Sequence, residues 1–154
     1  MIKLAESVLQ MLQGRTLVTA ESCTGGGIGQ LLTAVPGSSA VYKGGIISYT
    51  NEIKQRLLMV PEDLLIRVGA VSAPVAEAMA QGARQQLNAD FAVSVTGLAG
   101  PGGDEFGNPV GTVFVGYADE SCCISKEFHF RGNRQAVRDQ AVYAALSLLV
   151  EQNR

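Results

Sequence analysis

The ten residues VTAESCTGGG, at positions 18–27, determine how the rest of this chain is organised. An apolar run ends there in small hydroxyl and thiol side chains, three glycines follow, and a helical pattern continues through Leu31 and Leu32. This order predicts a strand, a tight turn and a helix, with Ser22 at the turn. Backbone N–H groups at the start of such a helix can hold a phosphate or a developing oxyanion. Ser22 is therefore either a nucleophile or a residue that caps the turn, and this stretch leaves both interpretations open.

Outward from this stretch, strand-like and helix-like segments alternate along the chain. Apolar and β-branched runs predict strands over residues 16–20, 39–49, 91–95, 110–118 and 122–130, with the last two paired as a hairpin. Apolar residues at helical spacing predict helices over residues 3–13, 24–35, 52–59, 61–67 and 73–87, and from 134 onward. The expected fold is a three-layer α/β/α domain with a mixed, mostly buried central sheet, formed by residues 1–154 as a single domain.

Two local signals refine this prediction. The adjacent Gly44 and Gly45 split the second strand, which indicates a bulge or a close approach of another backbone. Asn51 is expected to be the N-cap of the helix that follows, and Asn133 that of the last helix, because asparagine readily accepts a hydrogen bond from a free helix N–H.

Composition and charge exclude several classes of protein. The chain has 154 residues, 47% of them hydrophobic, and a net charge of −2. Lys and Arg form no run of the kind that binds nucleic acid through counterion release, so no nucleic-acid partner is expected. No apolar stretch is long enough to cross a bilayer, and we expect a cytoplasmic protein without a membrane partner. Cys23, Cys122 and Cys123 support neither a disulfide framework nor a zinc site.

The glycine-rich stretches do not match the common nucleotide motifs. Neither of them has the P-loop pattern, in which Gly-Lys is followed by Ser or Thr. The first also lacks the Gly-x-Gly-x-x-Gly pattern of dinucleotide-binding domains. The second stretch, residues 96–103, has four glycines and one proline, more than a tight connection requires. It is either a ligand-binding loop or a plain connection.

A partner for Ser22 has to be sought among the basic residues. The single histidine, His129, lies between Phe128 and Phe130 in a strand, so it is expected on the exposed face and not in a Ser-His-Asp triad. Lys54 lies in the first turn of a predicted helix, where the positive end of the dipole favours a neutral amine that could accept the Ser22 proton. A solvated surface charge is the other interpretation of Lys54. Tyr49 could relay or orient that proton, or be a core aromatic residue.

Two arginines stand one helical turn apart at the start of the last predicted helix. A positive charge is unfavourable there unless it pairs with a bound anion or a carboxylate. Arg134 and Arg138 are therefore either anion ligands or members of salt bridges to Asp139 or Glu127.

Four motifs in the same order make the chain resemble the competence-damage-inducible protein A (CinA) C-terminal domain family. They are residues 19–26 (TAESCTGG), 48–54 (SYTNEIK), 69–72 (GAVS) and 96–101 (TGLAGP). The resemblance spans nearly the whole chain. It implies a nicotinamide-nucleotide amidohydrolase, which converts nicotinamide mononucleotide to nicotinate mononucleotide and ammonia in pyridine-nucleotide salvage, without a metal or cofactor.

The resemblance also implies roles for individual residues. Ser22 resembles the family's nucleophile and Lys54 its general base, with Tyr49 close to both, while N–H groups of the glycine turn would hold the oxyanion. Arg134 is a phosphate-ligand candidate. The other substrate-contacting residues would be Thr24, Gly25, Gly26, Asn51, Thr96, Gly97, Ala99, Gly100 and Pro101. The expected partner is the small-molecule substrate, and a domain of this size also allows a homo-oligomer.

Two other functions fit the same residues. One is a non-catalytic nucleotide-binding or interaction module that keeps the glycine loops to hold a phosphate. The other is an enzyme in which Cys23 and not Ser22 is the nucleophile. It predicts inactivation by thiol alkylation.

Overall fold

The computed structural model describes residues 1–154. Its helices and strands follow the order α1 Ile2–Met11, β1 Leu17–Glu21, α2 Gly27–Thr33, β2 Tyr42–Ile47, α3 Asn51–Leu58, α4 Glu62–Val68, α5 Ala73–Gln86, β3 Phe91–Gly97, β4 Thr112–Ala118, β5 Cys123–His129 and α6 Arg134–Gln152. A single 3-10 turn, Ser38–Ala40, precedes β2. None of the helices has the length and apolar character that a bilayer crossing requires.

The five strands form one mixed sheet in the order β2-β1-β3-β4-β5. β1 pairs in parallel with both β2 and β3, whereas β4 and β5 continue the sheet as an antiparallel hairpin. The predicted hairpin and the predicted mixed sheet are therefore confirmed.

Helices cover both faces of the sheet, as the alternation of side chains requires. On one face, Val93 and Val95 of β3 pack into a cluster that includes buried residues of α1, α2 and α6. On the other face, Ala92 packs with Val75 and Met79 of α5 and with other residues of the α3–α5 segment. This arrangement confirms the predicted three-layer α/β/α fold.

The carboxyl ends of the three parallel strands lie side by side. Glu21, the last residue of β1, is level with Ile47 of β2 on one side and with Val95 of β3 on the other. The connection from β1 to β2 contains α2, on one face, and the connection from β2 to β3 contains α5, on the other. The connections therefore change from one face of the sheet to the other beside β1. In open α/β sheets, ligands bind at such a switch point, outside the carboxyl ends of the strands.

Glycine allows a close approach within the sheet. A Cβ atom at Gly45 would lie 2.1 Å from Oγ1 of Thr19 on the neighbouring strand. The pairing of β1 with β2 also shifts register between Leu17 and Val18. Both the predicted irregularity and the predicted close approach are present.

Two predicted helix starts were wrong. α2 begins at Gly27 and not near Thr24, because Gly25 and Gly26 have positive φ values of 60° and 102° that a helix cannot contain. Asn51 is the first residue of α3 and not its N-cap. Thr50 takes that position in extended backbone, and its hydroxyl accepts a hydrogen bond from the N–H of Ile53.

Candidate active site

A cleft of about 300 Å³ opens at the carboxyl ends of β1, β2 and β3. Segments that are far apart in the chain meet there, among them the turn after β1, the start of α3, the loop after β3 and the start of α6. Most of the site residues predicted from the sequence line this cleft, namely Ser22, Tyr49, Asn51, Lys54, Thr96, Gly97, Ala99, Gly100 and Arg134. The rest of its wall is formed by Cys23, Ala70, Val71, Leu98 and Gly102.

Ser22 and Lys54 are in direct contact in this cleft. The Nζ atom of Lys54 lies 3.0 Å from Oγ of Ser22, 2.8 Å from the carbonyl oxygen of Ser48 and 3.4 Å from that of Tyr49. Only 2% of Lys54 is exposed. No carboxylate forms an ion pair with the amine. Lys54 is thus a buried amine and not a solvated surface charge.

Burial changes the protonation of this amine. Removal from water penalises the ammonium form and lowers the pKa of Lys54 from 10.5 to about 8. A neutral amine has two N–H donors and one lone pair. The carbonyl oxygens of Ser48 and Tyr49 can accept the two N–H groups, which leaves the lone pair for the hydroxyl proton of Ser22. The contacts therefore suit a neutral Lys54 that acts as a base toward Ser22.

The backbone of the turn after β1 holds Ser22 in place. Its N–H donates to the carbonyl of Val95 on β3, and its carbonyl accepts from the N–H of Gly25, each at 3.0 Å. The N–H groups of Cys23 and Thr24, which directly follow Ser22, donate to no other residue of the protein, and that of Cys23 contacts only its own thiol. They are the nearest free donors, along the chain, to a charge that develops beside Oγ.

A buried carboxylate that the sequence analysis did not single out organises this turn. Glu21 is 2% exposed, and its Oε1 accepts from the hydroxyl of Thr24 at 2.7 Å and from the N–H of Ile28 at 2.9 Å. Its Oε2 accepts from the N–H of Gly29 at 3.0 Å. Glu21 therefore occupies the start of α2, where the sequence suggested a phosphate. The role of Glu21 could have been predicted from the sequence, because an acidic residue at the end of an otherwise apolar strand is unusual.

Four of the predicted substrate-contacting residues do not line the cleft: Thr24, Gly25, Gly26 and Pro101. The side chain of Thr24 is 1% exposed and its hydroxyl is bound to Glu21, so only its backbone N–H is free. A Cβ atom at Gly26 would face Ile47. Two of the four are glycines, which have no side chain. Contact of these four residues with a substrate stays a prediction, and for Thr24 it can involve only the backbone.

The end of β3 and the loop that follows it form another wall of the cleft. The hydroxyl of Thr96 donates to the carbonyl of Ala70 at 2.8 Å, so this side chain ties two walls of the cleft together. Gly97, Ala99 and Gly100 line the cleft. They present backbone there and little side chain.

Tyr49 and Arg134 meet at the rim. The guanidinium of Arg134 donates to the hydroxyl of Tyr49 at 3.1 Å and to the carbonyl of Gly100. The Tyr49 hydroxyl makes no hydrogen bond with Ser22 or Lys54, and the residue is 58% exposed. The expected proton relay through this hydroxyl is not present in the structure. Tyr49 instead contacts Lys54 through its backbone carbonyl.

Arg138 lies one helical turn beyond Arg134 and contacts the turn that follows β1. Its Nε donates to the carbonyl of Cys23 at 3.0 Å, and a terminal nitrogen donates to the carbonyl of Thr24 at 3.3 Å. Neither arginine forms a salt bridge with Asp139 or Glu127. The salt-bridge interpretation was therefore wrong.

Cys23 as an alternative nucleophile and His129 as a triad base are both poorly placed. Cys23 lines the cleft but is 6% exposed, and burial raises the pKa of its thiol from 9.0 to about 11. Little thiolate is present near neutral pH. His129 is on the exposed surface of β5, where its ring pairs with Glu127 at 2.6 Å.

Comparison with known proteins identifies the family of this chain. The sequence model of the family described as the CinA C-terminal domain matches residues 1–152. The chain belongs to this family. A CinA-like protein from Parasynechococcus marenigrum is 52% identical over 150 residues, which cover 95% of this chain and 36% of that protein. A second CinA-like protein, from Thermosynechococcus vestitus, is 50% identical over an alignment of 154 residues, which covers 97% of this chain and 37% of that protein. The chain thus spans about a third of the length of these curated relatives.

Crystal structures of other CinA superfamily proteins have the same fold. The competence/damage inducible protein CihA from Agrobacterium tumefaciens is 38% identical, with a TM-score of 0.95 over 99% of this chain and 95% of that chain. The CinA superfamily protein from Enterobacter cloacae is 32% identical, with a TM-score of 0.96 over 99% of this chain and 92% of that chain. The layered sheet described above is therefore the CinA fold.

Proposed function

We propose that this CinA-family protein is a nicotinamide-nucleotide amidohydrolase that uses Ser22 as nucleophile and Lys54 as general base. The observation that carries the proposal is the 3.0 Å contact between a buried, unpaired lysine amine and a serine hydroxyl in a cleft. An amine whose pKa is lowered to about 8 is partly neutral near physiological pH, as a general base must be.

Acylation begins with proton transfer from Ser22 to Lys54. The Ser22 oxygen then forms a bond to the carboxamide carbon, and the carbonyl electrons move onto its oxygen. The free N–H groups of Cys23 and Thr24 are the donors that would stabilise this oxyanion. When the intermediate collapses, the Lys54 ammonium gives its proton to the carboxamide nitrogen, the carbon–nitrogen bond breaks and ammonia leaves.

Deacylation uses the same two residues, but water is now the attacking group and the Ser22 oxygen is the leaving group. The acyl-enzyme is an ester on Ser22, and Lys54 is again neutral. Lys54 takes a proton from water as the water oxygen attacks the ester carbon, and then returns that proton to the Ser22 oxygen as it leaves. The net change is the hydrolysis of a carboxamide to a carboxylate and ammonium.

The proposed substrate class is supported by family resemblance and by the rim of the cleft. The CinA family includes amidohydrolases, and the resemblance of the four motifs points to nicotinamide mononucleotide. Arg134 uses two contacts to hold Gly100 and Tyr49, and a guanidinium has five N–H donors. The remaining donors can bind the phosphate of a mononucleotide.

Ammonia release tests this function directly. Purified protein should release ammonia from nicotinamide mononucleotide and form an equal amount of nicotinate mononucleotide. Lys54→Ala should lower the rate by at least about a hundredfold, in the range that loss of a general base produces. Cys23→Ala should keep it within a few-fold, and thiol alkylation of this variant should not lower its activity. A protein that binds the nucleotide without releasing ammonia would instead be the non-catalytic module.

A further inference from the structure

Arg138 contacts neither Ser22 nor the cleft, yet it binds the peptide group next to the nucleophile. We propose that Arg138 is a positioning residue for catalysis, which orients and polarises the Thr24 N–H as an oxyanion donor. This proposal rests on the function proposed above, since it concerns the same reaction.

The step from Arg138 to the reacting atoms is a single peptide group. The Cys23 carbonyl, which accepts from Arg138 Nε at 3.0 Å, and the Thr24 N–H belong to one planar trans peptide. In a trans peptide these two groups point in opposite directions. A guanidinium that fixes the carbonyl therefore also fixes the N–H, and draws electron density from it. That N–H has no acceptor within the protein.

Arg138 is itself held in position. A second nitrogen of its guanidinium donates to the Thr24 carbonyl at 3.3 Å, and a third donates to Oε1 of Gln135 at 3.2 Å. No carboxylate pairs with the guanidinium, so its positive charge is not neutralised by an ion pair. On the other side of the turn, the Glu21 carboxylate holds the Thr24 hydroxyl. The turn is thus fixed between a cation and an anion.

The charge on the substrate oxygen develops only in the transition state. Polarisation of the Thr24 N–H should therefore increase kcat and have little effect on substrate affinity. Loss of an entire oxyanion donor lowers kcat by about 100-fold to 1000-fold. Loss of orientation alone leaves the donor in place, so we expect Arg138→Gln to lower kcat by about 10-fold to 100-fold, with KM within about twofold.

The experiment compares Arg138→Gln and Arg138→Lys with Arg67→Gln, which removes an exposed arginine charge on α4. Arg138→Lys keeps the charge but has a single donor nitrogen in place of three, so its kcat should lie between those of wild type and Arg138→Gln. Arg67→Gln should match wild type. An unchanged kcat in Arg138→Gln, or a loss that appears only in KM, overturns the proposal. Should Arg138→Gln not fold, as judged by circular dichroism, the kcat of Arg138→Lys decides by the same criterion.

A second measurement separates this proposal from the proposed substrate. A fluorophosphonate probe phosphonylates an activated serine, and its P=O oxygen needs the same N–H donors. Labelling of Ser22, followed by mass spectrometry, should be slower in Arg138→Gln than in wild type and Arg67→Gln. If wild type is labelled at Ser22 but releases no ammonia, the substrate assignment is wrong. The labelling rates of the variants still test whether Arg138 supports the oxyanion donor. Equal labelling rates in all three proteins overturn the role of Arg138.

Discussion

The amine of Lys54 lies 3.0 Å from the hydroxyl of Ser22, although 32 positions separate the two residues in the chain. The fold explains this contact. Ser22 directly follows β1, and Lys54 is in the first turn of the helix that follows β2, the parallel neighbour of β1. Parallel pairing places the ends of both strands at one edge of the sheet, so the two side chains converge there.

The pH dependence of kcat should follow the protonation of Lys54. Burial lowers the pKa of this amine to about 8, and only the neutral form accepts the Ser22 proton. Between pH 6.5 and 7.5, kcat should rise about eightfold and then level off above about pH 9. Initial rates of ammonia release at saturating substrate measure this. A flat profile from pH 6.5 to 9.5 would show that Lys54 is not the base.

The same burial should make Lys54 a source of instability. Its pKa in the folded protein lies below the ordinary value of 10.5, so the folded state disfavours the protonated form. The penalty is full below about pH 8, decreases from there to pH 10.5 and is absent above it. It is on the order of 3 kcal/mol for a lysine shifted this far. A variant without the amine avoids this penalty and gains stability. It also loses the two hydrogen bonds to the Ser48 and Tyr49 carbonyls, which offsets part of the gain.

Lys54→Met should therefore be inactive but more stable than wild type at pH 7. Thermal unfolding at pH 7 and pH 10 checks this, with Arg67→Met as the exposed control. The stability advantage should shrink at pH 10, where less of the penalty remains. If the melting temperatures of Lys54→Met and wild type differed by the same amount at both pH values, Lys54 would not have a lowered pKa in the folded protein.

Arg134 should determine affinity for the phosphate. Arg134→Gln should raise KM for nicotinamide mononucleotide by roughly 10-fold to 100-fold, the equivalent of one or two charged hydrogen bonds. The same variant should change KM little for nicotinamide riboside, which lacks the phosphate. Arg131→Gln, an exposed neighbour, is the control. Equal effects on both substrates would mean that Arg134 acts through Tyr49 and Gly100 and does not bind phosphate.

Glu21 should be required for both stability and turnover. In Glu21→Gln the amide NH₂ group faces donors, so at least one of Thr24 Oγ1, Ile28 N–H and Gly29 N–H loses its acceptor. An unpaired buried donor costs about 1–3 kcal/mol. We expect a melting temperature several degrees lower and a reduced kcat, measured beside Glu62→Gln on the surface. An unchanged melting temperature would show that the carboxylate does not hold the turn.

Much of the fold could be predicted from local pattern. The alternation of apolar runs and helical stripes predicted the layers, and the four motifs indicated the family. These features depend on residues that are close in sequence. The start of α3 was misplaced by one residue because Thr50 and Asn51 are both good caps, and only the backbone conformation decides between them.

The parts that could not be predicted depend on contacts between distant segments. Arg138 binds the Cys23 carbonyl across 115 positions of sequence, and no spacing rule indicates such a contact. The exposure of Tyr49 and its bond to Arg134 likewise depend on how α6 packs beside the cleft. Glu21 differs from these, since its partners lie only three to eight residues away. A carboxylate at the end of a buried strand could have been recognised as the cap of α2.

The most direct test of the Ser22 and Lys54 mechanism is to identify the acylated residue. Protein mixed with nicotinamide mononucleotide at pH 8.5, quenched in acid within milliseconds and digested, should contain an ester on Ser22 in the peptide that spans the first glycine turn. The ester should be absent from Ser22→Ala, whose ammonia release should be lower by at least about a thousandfold. Acylation of Cys23 instead, or full turnover in Ser22→Ala, would contradict the mechanism.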